Sequence, residues 1–167
     1  MNSRNTSALY ARSFIFGVED SLFSTSGLLA GIAAAGVPKA EIFLTGVILI
    51  FVEAFSMAVG SFLSEQSAEE YLEKKEVKPN KSLHAGVIMF FAYMGAGLIP
   101  LSPYIMFNMP RAFWFSIFLS LVALLILGIV SSHYLKIKVV KSAIRMLIIG
   151  GGTVIIGVLV GQLVNSL

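Results

Sequence analysis

Three carboxylates stand where the rest of the chain is hydrocarbon. Glu19 and Asp20 interrupt an apolar run from Phe14 to Val37, and Glu53 sits well inside the next run. A charged side chain at the centre of a membrane helix costs at least about 2.5 kcal/mol, so such residues are rare and tend to line ion or proton paths. Asp20 shares helical spacing with Ser24, Gly27 and Gly31, a face of small and polar residues. Glu53, Met57, Ser61 and Glu65 fall at i, i+4, i+8 and i+12, one line down a helix. Carboxylate oxygen suits Mg, Mn and Fe(II), whereas a thioether is softer and disfavours Mg and Ca. The mixed set therefore favours a borderline divalent ion such as Fe(II). Residue type leaves Fe(II), Mn(II) and Co(II) all open.

Each residue also has a plainer reading. Asp20 can cap a helix that begins there, with Phe14 to Gly17 outside the membrane. Met57 can be ordinary core. Glu53 can be a protonated acid bonded to a neighbouring helix, but no capping role exists at its depth.

The elements that must position these groups follow from composition. The 167 residues are 57% hydrophobic and 13% charged, against about 25% charged in soluble domains. Five apolar runs approach the ~20 residues needed to cross hydrocarbon. The expected fold is an all-α integral membrane protein of five transmembrane helices, at about 13–37, 40–67, 83–107, 112–134 and 143–164. The first is the least apolar, because Glu19-Asp20 break it. A hydrophilic connection lies at about 65–82, and part of it, to about Glu76, is expected to prolong the second helix before Pro79 ends it. Five crossings fill the chain, so residues 1–167 form a single transmembrane domain.

The N-terminus MNSRNTSALYARS lacks the short apolar core and cleavage site of a signal peptide. With no cysteine, disulfides and thiolate metal ligands are excluded. The net charge of +3 does not point to nucleic acid, because the basic residues sit at membrane ends, where they act as topology signals. Arg4, Arg12, Lys74, Lys75, Lys78, Lys81, Lys136, Lys138, Lys141 and Arg145 fall on one side of five alternating crossings, and Lys39 and Arg111 on the other. The positive-inside rule then puts the N-terminus in the cytoplasm and the C-terminus outside. All nine acids lie between Glu19 and Glu76. An intramembrane enzyme would need a nucleophile–base pair or metal ligands such as H-E-x-x-H. His84 and His133, the two histidines, belong to no such motif.

Several segments resemble the vacuolar iron transporter family. They are VEDSLFSTSGLLAGIAAAG (Val18 to Gly36), AFSMAVGSFLSEQSAEEY (Ala54 to Tyr71), MFFAYMGAGLIPLSPYIM (Met89 to Met106) and AIRMLIIGGGTVIIGVLVGQLV (Ala143 to Val164). They are similar to the family's first, second, third and fifth membrane segments, in that order. The resemblance implies a five-helix protomer working as a homodimer, with the ion path between subunits. It implies export of Fe(II), often also Mn(II), from the cytosol in exchange for protons, the metal being cargo with no permanently bound cofactor. Asp20 matches the family's first-segment aspartate and Met57 its second-segment methionine, both path-lining residues.

Three features depart from the family pattern. Its second-segment glutamate matches Leu49 here, while the acid is Glu53, one turn closer to Met57. The glycine after the aspartate is Ser21, and Glu19 is an additional acid. The long acidic hairpin between segments two and three is reduced to a short connection, whose Glu65, Glu69 and Glu73, with Glu19 and Ser61, are secondary candidates for a metal or proton path. Gly27, Gly31 and Ala35, with Gly157 and Gly161, give close-packing faces suited to a dimer interface or to packing within one subunit. The expected partners are membrane lipid, a second copy, divalent ions and protons. Metal binding requires deprotonated carboxylates, so metal and proton compete for one site and antiport needs no separate coupling device. A proton-independent channel and a non-transporting membrane scaffold are the alternatives.

Overall fold

Residues 3–136 and 138–167 are described by a computed structural model, in which every hydrocarbon-length run is α-helical. Helix α1 spans Ser3–Ala34, α2 Lys39–Glu73, α3 Asn80–Leu101, α4 Pro103–Met106, α5 Arg111–Leu135 and α6 Val139–Asn165. The side chain of Arg4 lies outside the described set. Without water in the hydrocarbon, backbone N–H and C=O groups must pair within a segment, and helices satisfy that demand. Helices α2, α5 and α6, and α3 with α4 taken together, are long and apolar enough to cross a membrane. Helix α1 has the length for a fifth crossing, but its acids and serines make it less apolar than the others.

That difference decides the packing. Helix α1 lies against α2, α3, α5 and α6 and is the hub of the bundle. Its Ser21, Leu22, Thr25, Ser26 and Leu29 are fully enclosed. The other helices turn large apolar side chains outward, such as Phe51 and Phe55 on α2, Trp114 and Phe118 on α5, and Ile148 and Ile155 on α6. Lipid tails are as apolar as these side chains, so association rests on close packing of small residues rather than on the hydrophobic effect. One apolar cluster joins Leu29, Ile42, Ile50, Leu101 and Tyr104, and a second joins Leu22, Ala96, Leu124 and Met146.

The helix ends differ from the expected ones for local reasons. Helix α1 begins at Ser3 rather than near residue 13, because SRNTSALYAR contains no Gly or Pro and Leu9 is buried against the bundle. Asp20 is therefore mid-helix, and the capping reading of it falls. The helix ends at Ala34, where Gly36 takes φ +78 and Pro38 starts the next helix. Helix α2 runs past residue 67 to Glu73 and stops short of Glu76, because Lys74 adopts a left-handed conformation. The connection to α3 is residues 74–79 rather than 65–82, and Pro79 caps the start of α3 rather than ending α2. Pro100 and Pro103 mark the end of α3 and the start of α4.

At 1.5 Å per residue, α1 and α2 are about 50 Å long, well beyond a ~30 Å hydrocarbon core. Both project at the end that carries Arg12 and Lys74, here called the basic end.

The two small-residue stripes meet each other within one chain. Gly27 and Gly31 of α1 lie against the backbone of Thr153 and Gly157 in α6, and Gly161 lies against Gly31. A methyl group on Gly31 would come within 2.7 Å of the Gly157 carbonyl oxygen, and one on Gly157 would meet the Gly27 carbonyl. Gly151 and Gly152, one turn away, face open space. Gly157→Ala is therefore expected to force α1 and α6 apart and to cost about 1–3 kcal/mol. Gly151→Ala should be neutral or slightly stabilising through helix propensity. Melting temperatures in detergent check this, and equal effects of the two substitutions would contradict the packing.

Candidate ion pathway

The acidic pair stands between two recesses on α1. Successive residues of a helix point about 100° apart, so Glu19 and Asp20 do not share a surface. Glu19 lines a recess of about 790 Å³ toward the basic end, together with Arg12, Ser13, Ser61, Ser64 and Met89. Asp20 lines a groove of about 820 Å³ between α1 and α6 that runs toward the opposite end past Ser24, Gly31, Ala35 and Gly161. Both carboxylates are half-buried.

Helix α2 adds the second set of groups. Glu53, Met57, Ser61 and Glu65 are all half-buried, whereas Val52, Ser56, Gly60 and Ser64 beside them are exposed. The line foreseen from spacing is thus a real face of α2. At its deep end the Glu53 carboxylate lies within electrostatic reach of Asp20 on α1. In its middle Ser61 lines the same recess as Glu19. At its mouth the Glu65 carboxylate accepts a hydrogen bond from the Arg12 guanidinium at 2.8 Å, which ties the projecting ends of α1 and α2 together.

Tyr93 of α3 was not singled out from the sequence. It is fully buried, and its hydroxyl shares a 2.6 Å hydrogen bond with Ser24, one turn from Asp20. It also lies within electrostatic reach of both Asp20 and Glu53. The available signal was a tyrosine inside a small-residue helix, since a buried tyrosine hydroxyl needs a polar partner. Ser21, standing where the family pattern has glycine, donates a 2.7 Å hydrogen bond to the Tyr93 carbonyl. Gly97 makes room for it, because a Cβ there would lie 2.9 Å from the Ser21 hydroxyl oxygen.

The remaining acids of α2 are placed differently. Glu69 is buried, 3.5 Å from the Lys81 ammonium, with its second oxygen unpartnered. It belongs to a polar clamp in which Gln66 donates to Glu70 and to the Val77 carbonyl and accepts from Ser82. Glu73 is exposed and pairs with Lys75 at 3.1 Å. Among the described residues no three of the His, Asp and Glu side chains converge into a ready metal shell. Asp20 and Glu53 come from different helices, and Met57 lies one turn from Glu53 on the same face of α2.

Carboxylates from two helices inside a membrane bundle, with a hydroxyl- and thioether-bearing face leading to them, define a multi-pass membrane protein of the transporter class. The chain belongs to the VIT family, whose model matches residues 11–82 and 73–162. The two matched pieces meet in the connection between α2 and α3. Similar curated proteins include vacuolar iron transporter 1 of Tulipa gesneriana, 24% identical, with 83% of this chain and 81% of the relative covered. Vacuolar iron transporter 1 of Eucalyptus grandis is 23% identical, with 87% and 82% covered. The first alignment runs over 199 residues, longer than this whole chain, so that relative holds residues for which this chain has no counterpart.

The clamp at Glu69 gives a sharp expectation. Lys81→Met leaves a buried carboxylate without its cation, and removing one member of a buried pair is costlier than replacing both. Lys81→Met alone should therefore lower the melting temperature more than Lys81→Met with Glu69→Leu. Additive effects of the two substitutions would show that the pair is not coupled.

Proposed function

We propose that the protein moves a divalent transition-metal ion, Fe(II) or Mn(II), out of the cytosol in exchange for protons. The observation that carries this reading is a pair of half-buried carboxylates on different helices, Asp20 on α1 and Glu53 on α2, within electrostatic reach of each other. Met57 supplies a soft ligand one turn from Glu53, which favours a borderline metal over Mg or Ca. The names of the similar proteins point to iron. The metal is cargo, and no resident cofactor is part of the proposal.

The working unit in this reading is a homodimer with its ion path between subunits. Support comes from the incomplete ligand set of one chain and from the open grooves along α1, which leave its acidic face uncovered at Asp20. The N-terminus is cytoplasmic by the distribution of basic residues. The membrane is the plasma membrane in a prokaryote and a vacuolar or similar acidic membrane in a eukaryote.

Coupling follows from competition. Metal loads from the cytoplasmic side when the carboxylates are deprotonated, and protons from an acidic far side displace it. Acidifying the release side should therefore speed transport, and acidifying the loading side should slow it. Fe(II) and Mn(II) flux in proteoliposomes, with and without a pH gradient, tests this for wild type, Asp20→Asn and Glu53→Gln. Gradient-dependent flux that falls to background in both variants is expected, with Glu73→Gln close to wild type. Flux indifferent to the gradient would identify a channel, and no flux from a folded dimer would leave a scaffold.

A further inference from the structure

At the basic end, α6 presents a face on which Lys138, Lys141 and Arg145 border a groove of about 480 Å³. None of the three is ion-paired with a described residue, and no acid follows Glu76 in the chain. The start of α6 has no side-chain cap and no acidic residue in its first turn, so its free N–H groups and positive dipole end add to the same field. A separate observation points to a ligand. Ser142 is 3% exposed, its hydroxyl has no hydrogen-bond partner, and it lines this groove. A buried hydroxyl among three cations free of salt bridges, beside a bare helix start, is an acceptor-seeking arrangement, suited to a phosphate group.

The walls select the source of that phosphate. Ile144 lines the groove between Lys141 and Arg145, and Ile148 and Ile149 line it below the cations, all three exposed. From Lys138 to Ile148 the helix rises about 15 Å, from headgroup level into hydrocarbon on a membrane-crossing helix. A soluble anion would use only the upper part. We propose that this face of α6 is a binding site for an anionic phospholipid, its phosphate held by Lys138, Lys141, Arg145 and the Ser142 hydroxyl and its acyl chain lying on the isoleucines. Basic pockets at the ends of membrane helices recognise lipid headgroups by this chemistry. The site lies on α6, where Arg145 is also within electrostatic reach of Glu19 on α1, and the proposal does not depend on the transport reading.

The test uses the full-length protein in detergent, with melting temperature and native mass spectrometry as readouts. Dioleoyl-phosphatidylglycerol, dioleoyl-phosphatidylcholine and inorganic phosphate serve as probes. Phosphatidylglycerol should raise the melting temperature and remain bound in the spectrometer, and phosphatidylcholine should do neither. Each of Lys138→Gln, Lys141→Gln and Arg145→Gln should weaken phosphatidylglycerol binding about fivefold, and Ser142→Ala should weaken it further. The triple variant should lose the preference over phosphatidylcholine. Should the triple variant fail to fold, the single variants carry the test. Equal responses to the two lipids, or an unchanged phosphatidylglycerol response in the variants, would overturn the proposal. An equal response to inorganic phosphate would replace the lipid by a soluble anion and overturn it as stated.

Discussion

Two adjacent carboxylates cross a hydrocarbon layer on α1, and the rest of the bundle is arranged around that burden. Lipid offers no hydrogen bonds, so a helix carrying Glu19, Asp20 and a row of hydroxyls must find its polar partners in protein. The other four crossings pack around it, and hydroxyls on α1 and on its neighbours bond to protein carbonyls. Ser21 donates to the Tyr93 carbonyl, Ser26 to Leu22, Ser116 to Pro100 and Thr153 to Gly150. Close approach makes the enclosure possible. Gly27 and Gly31 let α1 reach the backbone of α6, and Gly97 admits the Ser21 side chain against α3. The glycines of this chain therefore serve the acids, because without them α1 would stand off and its polar face would meet lipid.

The same enclosure is incomplete on one side, and the incompleteness has a pattern. The two recesses on α1 end at neighbouring residues, Glu19 on one and Asp20 on the other. Carboxylate groups at this level of α1 therefore line both recesses. In the proposed exchange, a carboxylate pair at such a place would bind a divalent ion when ionised and release it when protonated, so a single set of groups would both select and couple.

The fold was legible because hydropathy in a membrane protein reports directly on span length, and five runs of that length leave no other arrangement. Helix ends were not legible to the same degree. The start of α1 at Ser3 depends on Leu9 packing into the bundle, and the stop of α2 depends on the backbone of Lys74, neither of which has a hydropathy signature. The Glu53–Met57–Ser61–Glu65 face was readable from spacing alone because helical geometry fixes it. Tyr93 was not, since its role arises from α3 facing α1, a relation between distant segments. Arg12 was read as a topology signal, and its bond to Glu65 shows that a charge at a membrane end can also be a fastening.

The acidic stretch that ends α2 looks like a metal collector by composition, with five glutamates from Glu65 to Glu76. In the folded chain four of them already have protein partners: Glu65 with Arg12, Glu69 with Lys81, Glu70 with Gln66 and Glu73 with Lys75. A metal arriving there would have to displace cations and amides that hold α1, α2 and α3 together at this end. The stretch thus works first as a clasp. In the proposed transport, discrimination among divalent ions would then fall to the groups inside the bundle, where desolvation is costly and a carboxylate–thioether set would favour a borderline metal over Mg and Ca.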